Sequence, residues 1–452
     1  MIRKRLAATS LVAATAVIGV STAGTAGAGV HRHTEPVPID VTVLAETLPT
    51  GYTVTGLAVE YDRVVDIGDD EIDESAFDIQ VELAQPEAEP TSGTRTVVDA
   101  YTADTPGFSD EQAPGSWVIL ELDPADELAL AAYNDGDYTQ FYDLIDAYEV
   151  TQVAEVGDGW DAVSARPKVV VSSSDVLSAI VDDYDGEEVY ETETGLTLPY
   201  RYFTPETVEG ELYPLVVTLH GYGESGTNNF SQIAGNQLSS AFADPARQER
   251  HPAYVLSPQA NPLDDETSGA WWEPEMQQAV LTLVNEFIAD RPDIDTSRVY
   301  LSGVSMGSYG SWSALTQASD LFAGALLICG AGDEEAALAE LGDTPIWAVH
   351  AIDDATVLYD AENSDFSIFQ AFEEAGIPVT WSEWSGSLSD EEGEAAAAEA
   401  VARATEAGSD KIFTTFPEGT TPILAHLAWI PVYTNDVIID WLFAQGGDAD
   451  LQ

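Results

Sequence analysis

Cysteine occurs once in the 452 residues, at Cys329, so no intramolecular disulfide can brace this chain. The apolar run before it, Ala325-Leu326-Leu327-Ile328, marks it as a buried thiol and gives no support to a cysteine nucleophile. Lysine is almost missing as well, with only Lys4, Lys168 and Lys411. Lys and Arg together number 15 against 80 Asp and Glu, for a net charge of −65. Such a chain offers no basic patch, which excludes nucleic acid and anionic membranes as partners. Complete metal-binding patterns are lacking too. Asp182-Asp183-Tyr184-Asp185-Gly186 matches only part of a calcium loop, and Asp69-Asp70-Glu71-Ile72-Asp73-Glu74 reads as solvated acidic surface, so no metal is expected.

Long apolar runs are absent beyond the first thirty residues. At the start, Arg3, Lys4 and Arg5 precede the apolar stretch Leu6 to Val20 and the small residues Ala26-Gly27-Ala28, the pattern of a secretion signal over residues 1–28. That stretch is too short and too rich in Ala and Thr for a membrane anchor. The mature protein is therefore expected to begin at Gly29 and to be soluble and extracellular. Removing the leader takes away three basic and no acidic residues, which sharpens the charge imbalance. Self-repulsion at that density is relieved by salt, so a salt-adapted protein is expected.

The length suits more than one domain, each with its own core. Over residues 38–172 the pattern is one of short strands. Phe77-Asp78-Ile79-Gln80-Val81-Glu82-Leu83 alternates strictly, and Tyr52 to Tyr61, Val97 to Tyr101 and Trp117 to Leu122 are similar runs between Pro, Gly and Asp. An antiparallel sandwich is the expected outcome, although Asp126 to Tyr148 could also form helix. Residues 173–194 read as an acidic connector. From residue 195 to 446 strands alternate with helices, with Met276, Val280, Leu283, Val284 and Phe287 on one helical face, the pattern of an α/β domain with a mostly parallel sheet. Ser389 to Ala407, rich in Ala and Glu, reads as a solvated helix, with a mobile lid as the alternative.

The feature richest in chemistry is Gly303-Val304-Ser305-Met306-Gly307, which follows the apolar Val299-Tyr300-Leu301 and opens a helical stretch, Ser308 to Ala318. This is the GxSxG pattern in the strand-to-helix setting that lifts a serine hydroxyl into reach of a base. The partners of such a serine follow it in the order acid, then histidine. Only His350 and His426 lie beyond Ser305. His350 closes the apolar run Ile346-Trp347-Ala348-Val349 and precedes the acids Asp353 and Asp354, so it reads as structural and either acid is open as the partner. His426 comes after both acids and fits the base. An oxyanion needs two backbone N–H donors: Met306, the residue after the nucleophile, and one from the loop His220-Gly221-Tyr222-Gly223 after the strand Leu215 to Leu219. His220 itself reads as an internal hydrogen-bonding group of that loop. Trp271, Trp272 and Trp429 are candidate pocket residues. Core packing is as good a reading for the first two, and bracing of the His426 loop is the better one for Trp429.

Taken together, His220-Gly221-Tyr222-Gly223, Gly303 to Gly307, His350-Ala351-Ile352-Asp353-Asp354 and His426-Leu427-Ala428-Trp429-Ile430-Pro431 resemble secreted α/β-hydrolase esterases related to the polyhydroxybutyrate-depolymerase and prolyl-oligopeptidase-like groups, over roughly residues 195–445. The resemblance implies an α/β-hydrolase fold and the Tyr222 N–H as the second oxyanion donor. It also implies an acid four residues after the strand-ending histidine, which selects Asp354 over Asp353. Where the family usually has glycine after that histidine, this chain has Ala351. Some members carry an immunoglobulin-like domain ahead of the hydrolase, which suits residues 38–172. The implied activity is hydrolysis of small or polymeric carboxylic esters through Ser305, His426 and Asp354, without a cofactor. A serine peptidase of the prolyl-oligopeptidase-like kind is one alternative. A binding or self-associating protein that works through its N-terminal domain is the other, and the complete ordered triad argues against its degenerate hydrolase.

Overall fold

Strict alternation over Phe77–Leu83 does what the sequence pattern predicts. Phe77, Ile79, Val81 and Leu83 are buried while Asp78, Gln80 and Glu82 face out, since successive side chains of a strand point to opposite faces. This strand belongs to a computed structural model of the chain that describes residues 35–446, apart from 137, 158–161, 166–167 and 264–267. The secretion signal read at residues 1–28 lies outside the described residues.

The described N-terminal part is β apart from a helical turn at Glu74–Ala76: β1 (Pro38–Leu48), β2 (Gly51–Val65), β3 (Phe77–Leu83), β4 (Thr91–Thr94), β5 (Val97–Ala103), β6 (Gly115–Leu122), β7 (Ala132–Asn134), β8 (Thr139–Phe141), β9 (Tyr148–Gln152) and β10 (Val170–Ser178). Eight of these are hydrogen-bonded in the order β4-β3-β9-β10-β1-β2-β6-β5, and β7 and β8 form a separate hairpin. Among the described residues of Asp126 to Tyr148 there is no helix. The Asp126 carboxylate accepts from the Thr96 N–H at 2.7 Å and pairs with the buried Arg95 at 3.1 Å, pinning this stretch to the sheet. Farther on, Asn134-Asp135-Gly136 turns the chain, with Gly136 at φ 105°, a left-handed conformation that suits glycine.

The second part contains β11 (Tyr184–Glu191), β12 (Thr197–Phe203), β13 (Tyr213–Leu219), β14 (Tyr254–Pro258), β15 (Ile294–Val304), β16 (Gly324–Ile328), β17 (Ile346–Ala351), β18 (Val379–Glu383) and β19 (Lys411–Phe416). Their order is β11-β12-β14-β13-β15-β16-β17-β19-β18. β12 runs antiparallel to β11 and β14, and all pairs from β14 to β18 are parallel. The central strands β13, β14, β16, β17 and β19 are buried along their whole length, as parallel strands covered on both faces must be. The helices are α1 (Ser231–Ala234), α2 (Gln237–Ala243), α3 (Pro245–Arg250), α4 (Pro274–Ala289), α5 (Met306–Gln317), α6 (Glu334–Glu340), α7 (Asp365–Glu374), α8 (Asp390–Ala407), α9 (Trp429–Tyr433) and α10 (Asp436–Phe443).

Residues 173–194 are not a connector. They hold most of β10, a helical turn at Val181–Asp183 and all of β11, so the second sheet begins at Tyr184 and not at residue 195. β11 is an edge strand, and its acidic, exposed residues imitate a linker because an edge has only one neighbour to cover it. Nor do the compact units follow a single linear cut. Among the described residues, one unit comprises 35–45, Val54–Ala131 and Tyr142–Leu177; the other comprises Glu46–Thr53, Ala132–Phe141 and 178–446. Within the second unit, the Phe141 ring packs edge to face on Tyr52 and Phe230, with centroids at 5.7 and 4.8 Å. The hairpin of β7 and β8 is thereby part of that unit's packing.

Candidate active site

Ser305 stands between β15 and α5 with φ 51° and ψ −119°, a backbone conformation that residues with side chains seldom adopt. The surroundings hold it there. Its N–H donates to the Ile328 carbonyl at 2.9 Å, and its carbonyl accepts from the Ser308 N–H at 2.9 Å. A Cβ on Gly307 would overlap the Leu219 carbonyl, and one on Gly303 would overlap the Gly307 carbonyl, so both glycines are required by close backbone approach.

His426 lies in the loop between β19 and α9. Its Nδ1 is 2.7 Å from Asp354 Oδ2 and its Nε2 is 2.9 Å from Ser305 Oγ. Asp354, just beyond the end of β17, accepts at Oδ1 from the N–H groups of Thr356 and Val357 at 2.8 and 3.1 Å. Burial alone would raise its pKa, but the hydrogen bonds from His350 and His426 outweigh that and hold the carboxyl well below the usual range. Asp353, the other acid open in the sequence, instead takes the Gly419 N–H on Oδ2 at 2.9 Å.

Met306 is the first residue of α5, and Tyr222 is the first of a helical turn, Tyr222–Glu224. Both N–H groups therefore sit at positive, open N-terminal ends with no intrahelical carbonyl to bond. A Cβ on Gly221 would lie 3.7 Å from Ser305 Cβ, so the loop carrying Tyr222 is adjacent to the nucleophile. Trp271 supports this loop from behind: it is buried and its indole N–H donates to the His220 carbonyl at 3.0 Å. It is a brace, not an open pocket wall. Trp272 is 49% exposed and meets Tyr309 edge to face at 5.9 Å. The Trp429 ring stands edge to face on His426 at 5.5 Å.

Three buried histidines surround the site, and their partners define their protonation. His220 Nδ1 is 2.6 Å from the Gly221 carbonyl while Nε2 accepts from the Ala260 N–H at 2.9 Å, a pattern that requires a neutral ring. Burial lowers its pKa to about 4. In His426 one nitrogen faces a carboxylate and the other a hydroxyl. His350 is flanked by oxygen on both sides: Nε2 is 2.9 Å from the Val357 carbonyl and 3.5 Å from Asp354 Oδ2, and Nδ1 is 3.3 Å from Asp365 Oδ2. Burial alone would lower its pKa, but the two carboxylates raise it to about 9.

Other residues near the site went unmarked in the sequence. Cys329 was read as a buried thiol and is one, yet its Sγ contacts the His426 carbonyl at 3.3 Å. Cys329, Asp354 and His426 present donor atoms within 4.8 Å of one another, but His426 and Asp354 are bonded to each other and burial keeps the Cys329 thiol protonated. Tyr138, in the turn before β8, lies 5.5 Å from the Tyr222 ring, and its hydroxyl bonds Asn261 Oδ1 and the Leu263 N–H. Nothing in a β-rich N-terminal stretch signals a contact with a loop more than eighty residues later. Asp365, on another helix, was equally invisible.

Residues 40–165 match the family described as the esterase Ig-like N-terminal domain. Across both parts, the chain is similar to a solved structure described as a thermostable esterase, at 27% identity and a TM-score of 0.73, covering 90% of this chain and 100% of that one. An acylaminoacyl peptidase in complex with a chloromethyl ketone is similar at 13% identity and a TM-score of 0.39, over 88% of this chain and 59% of its own. A ferulic acid esterase from the anaerobic fungus Anaeromyces mucronatus is similar at 14% identity and a TM-score of 0.36, over 58% of this chain and 91% of its own. These last two similarities are too distant to bear on function. No curated protein matches the sequence. The chain has an esterase-like hydrolase fold with an N-terminal β domain.

Proposed function

We propose that this chain, an ester hydrolase with an esterase-type immunoglobulin-like N-terminal domain, is a serine carboxylesterase that acts through Ser305, His426 and Asp354. The observation that carries the reading is the continuous chain from Ser305 Oγ through His426 to Asp354, at 2.9 and 2.7 Å. In this reading Ser305 Oγ attacks the ester carbonyl while His426 Nε2 takes its proton. The imidazolium so formed is stabilised by Asp354 and returns the proton to the leaving alkoxide. The N–H groups of Met306 and Tyr222 hold the oxyanion, at the ends of elements whose dipoles favour negative charge. Water then attacks the acyl-enzyme along the same path in reverse, and the carboxylic acid leaves.

The nine-stranded sheet is read as an α/β-hydrolase core and the N-terminal strands as an immunoglobulin-like sandwich, in line with the matches to esterases in both parts. The reading extends to an exported, salt-adapted enzyme. The leader-like pattern at residues 1–28 and the excess of acids support that extension. Ser305→Ala, assayed on a short-chain aryl ester, tests the site: activity should fall by at least about 1,000-fold. Activity close to that of the unmodified enzyme would overturn the assignment.

A further inference from the structure

His350 was read in the sequence as a residue that merely closes β17, yet its surroundings are unlike those of an ordinary buried histidine. Nε2 is hydrogen-bonded to the Val357 carbonyl at 2.9 Å with Asp354 Oδ2 at 3.5 Å, while Nδ1, which has no hydrogen-bond partner, lies 3.3 Å from Asp365 Oδ2, so a carboxylate stands within ion-pair distance of each nitrogen. A neutral ring carries one lone pair, and either tautomer would leave it beside an oxygen. With Nε2 protonated, the Nδ1 lone pair would oppose the Asp365 carboxylate. With Nδ1 protonated, the Nε2 lone pair would oppose Val357 O and Asp354. Only the imidazolium sets a positive charge against both buried carboxylates. His220 gives the contrast, since one of its nitrogens meets a carbonyl and the other an N–H.

The side chains of His350, Asp354 and Asp365 are all fully buried. Two carboxylates flanking one ring in such a place need a compensating charge. Asp365 is itself fixed: Oδ1 accepts from the Trp312 indole N–H and Oδ2 from the Gly330 N–H, both at 2.6 Å. Trp312 lies on α5, the helix opened by the nucleophile, and Gly330 follows β16. The Tyr359 ring stands edge to face on His350 at 5.7 Å. The titratable groups facing this cluster are thus Asp354, Asp365, Tyr359, Cys329, Tyr309 and, beyond Asp354, His426.

We infer that His350 is a positioning residue: an imidazolium clamped between Asp365 and Asp354 that keeps Asp354 ionised and aligned behind His426, and ties the acid to the helix that bears Ser305. The inference rests on the serine carboxylesterase reading and adds a charge to it. With His350 charged, the two buried carboxylates carry a net single negative charge, which the imidazolium of His426 offsets during acylation. With His350 neutral, the pair would carry two negative charges, and Asp354 would be pulled toward protonation and out of register with His426.

The test combines kinetics with a readout that needs no activity. In His350→Gln, kcat should fall about 10- to 100-fold with KM within about twofold, since the loss is one of alignment. The acid limb of kcat/KM should move up by about one pH unit, because loss of a cation beside the hydrogen-bonded Asp354–His426 pair favours the protonated pair. The alkaline limb due to His350 should disappear. A purely structural histidine would change stability without moving either limb. In parallel, nitrogen NMR of ring-labelled histidines in the Ser305→Ala protein should show one ring that is still an imidazolium at about pH 8, where an ordinary histidine is neutral. Asp365→Asn should lower the pH at which that ring loses its proton. A set of rings all neutral at about pH 8, or a folded His350→Gln enzyme with unchanged kcat and limbs, would overturn the inference. Surviving activity in Ser305→Ala would instead overturn the site assignment, while the ring spectrum of the same protein still reports on His350.

Discussion

Asp354→Asn preserves the shape of the acid but can turn an N–H toward His426 Nδ1, which would hold the ring in the wrong tautomer. Steady-state kinetics should show kcat falling by about 1,000- to 10,000-fold. Asp353→Asn, which loses only an acceptor for the Gly419 N–H, should stay within about threefold. That pair of variants decides between the two acids that residue order alone could not separate. Order alone pointed to Ser305 and His426, which the structure brings within 2.9 Å, because no other histidine follows both candidate acids. The partners of His350 were not legible: Asp365 lies eleven positions beyond Asp354, and only the packing of α7 against the end of β17 brings the three side chains together. Gly307→Ala tests the turn itself. Because a Cβ there meets the Leu219 carbonyl, thermal denaturation should report a loss of about 3 kcal/mol, with activity lost beside it.

Among the elements, α8 shows most clearly what composition conceals. Its Ala and Glu suggested a solvated helix or a lid, but Ala397, Ala400 and Ala404 are fully or almost fully buried, and the helix packs on β18, β19 and α10. The spacing of those alanines carried the signal, hidden by the glutamates between them. Ser389 and Glu392 form a reciprocal cap at its start. Ser389→Ala should therefore cost about 1 kcal/mol in thermal unfolding and leave esterase activity unchanged; a marked loss of activity would instead assign α8 a part in the site. The misread span at residues 173–194 has a related cause. Edge strands such as β11 show water a polar face, so charge density there marks the rim of a sheet as readily as a linker. Alternation was legible where one face was buried, as in β3, while acidic composition hid the strand at β11.

At the scale of the whole molecule, charge sets the expected behaviour. With 80 acids against 15 Lys and Arg, repulsion should be strongest in dilute buffer. Activity and Tm should rise as NaCl is added, and an enzyme most active in dilute buffer and inhibited by salt would contradict the salt-adapted reading. In high salt, where this repulsion is screened, the buried histidines should dominate the pH dependence of Tm. His220, with its pKa depressed to about 4, contributes stability that is complete above its unfolded value of 6.5 and is lost as pH falls toward 4. His350, raised to about 9, contributes stability that is complete below 6.5 and is lost as pH rises through 9. Tm should therefore fall on either side of a maximum near neutrality. The proposed function depends on one chemical event, the attack of Ser305 Oγ on an acyl carbon. Treatment with an aryl alkylphosphonate, which traps an activated serine, followed by peptide mass spectrometry, tests it most directly. The account predicts a single adduct on the peptide containing Ser305, with esterase activity lost in proportion. An adduct on another residue, or full inactivation without one on Ser305, would contradict it.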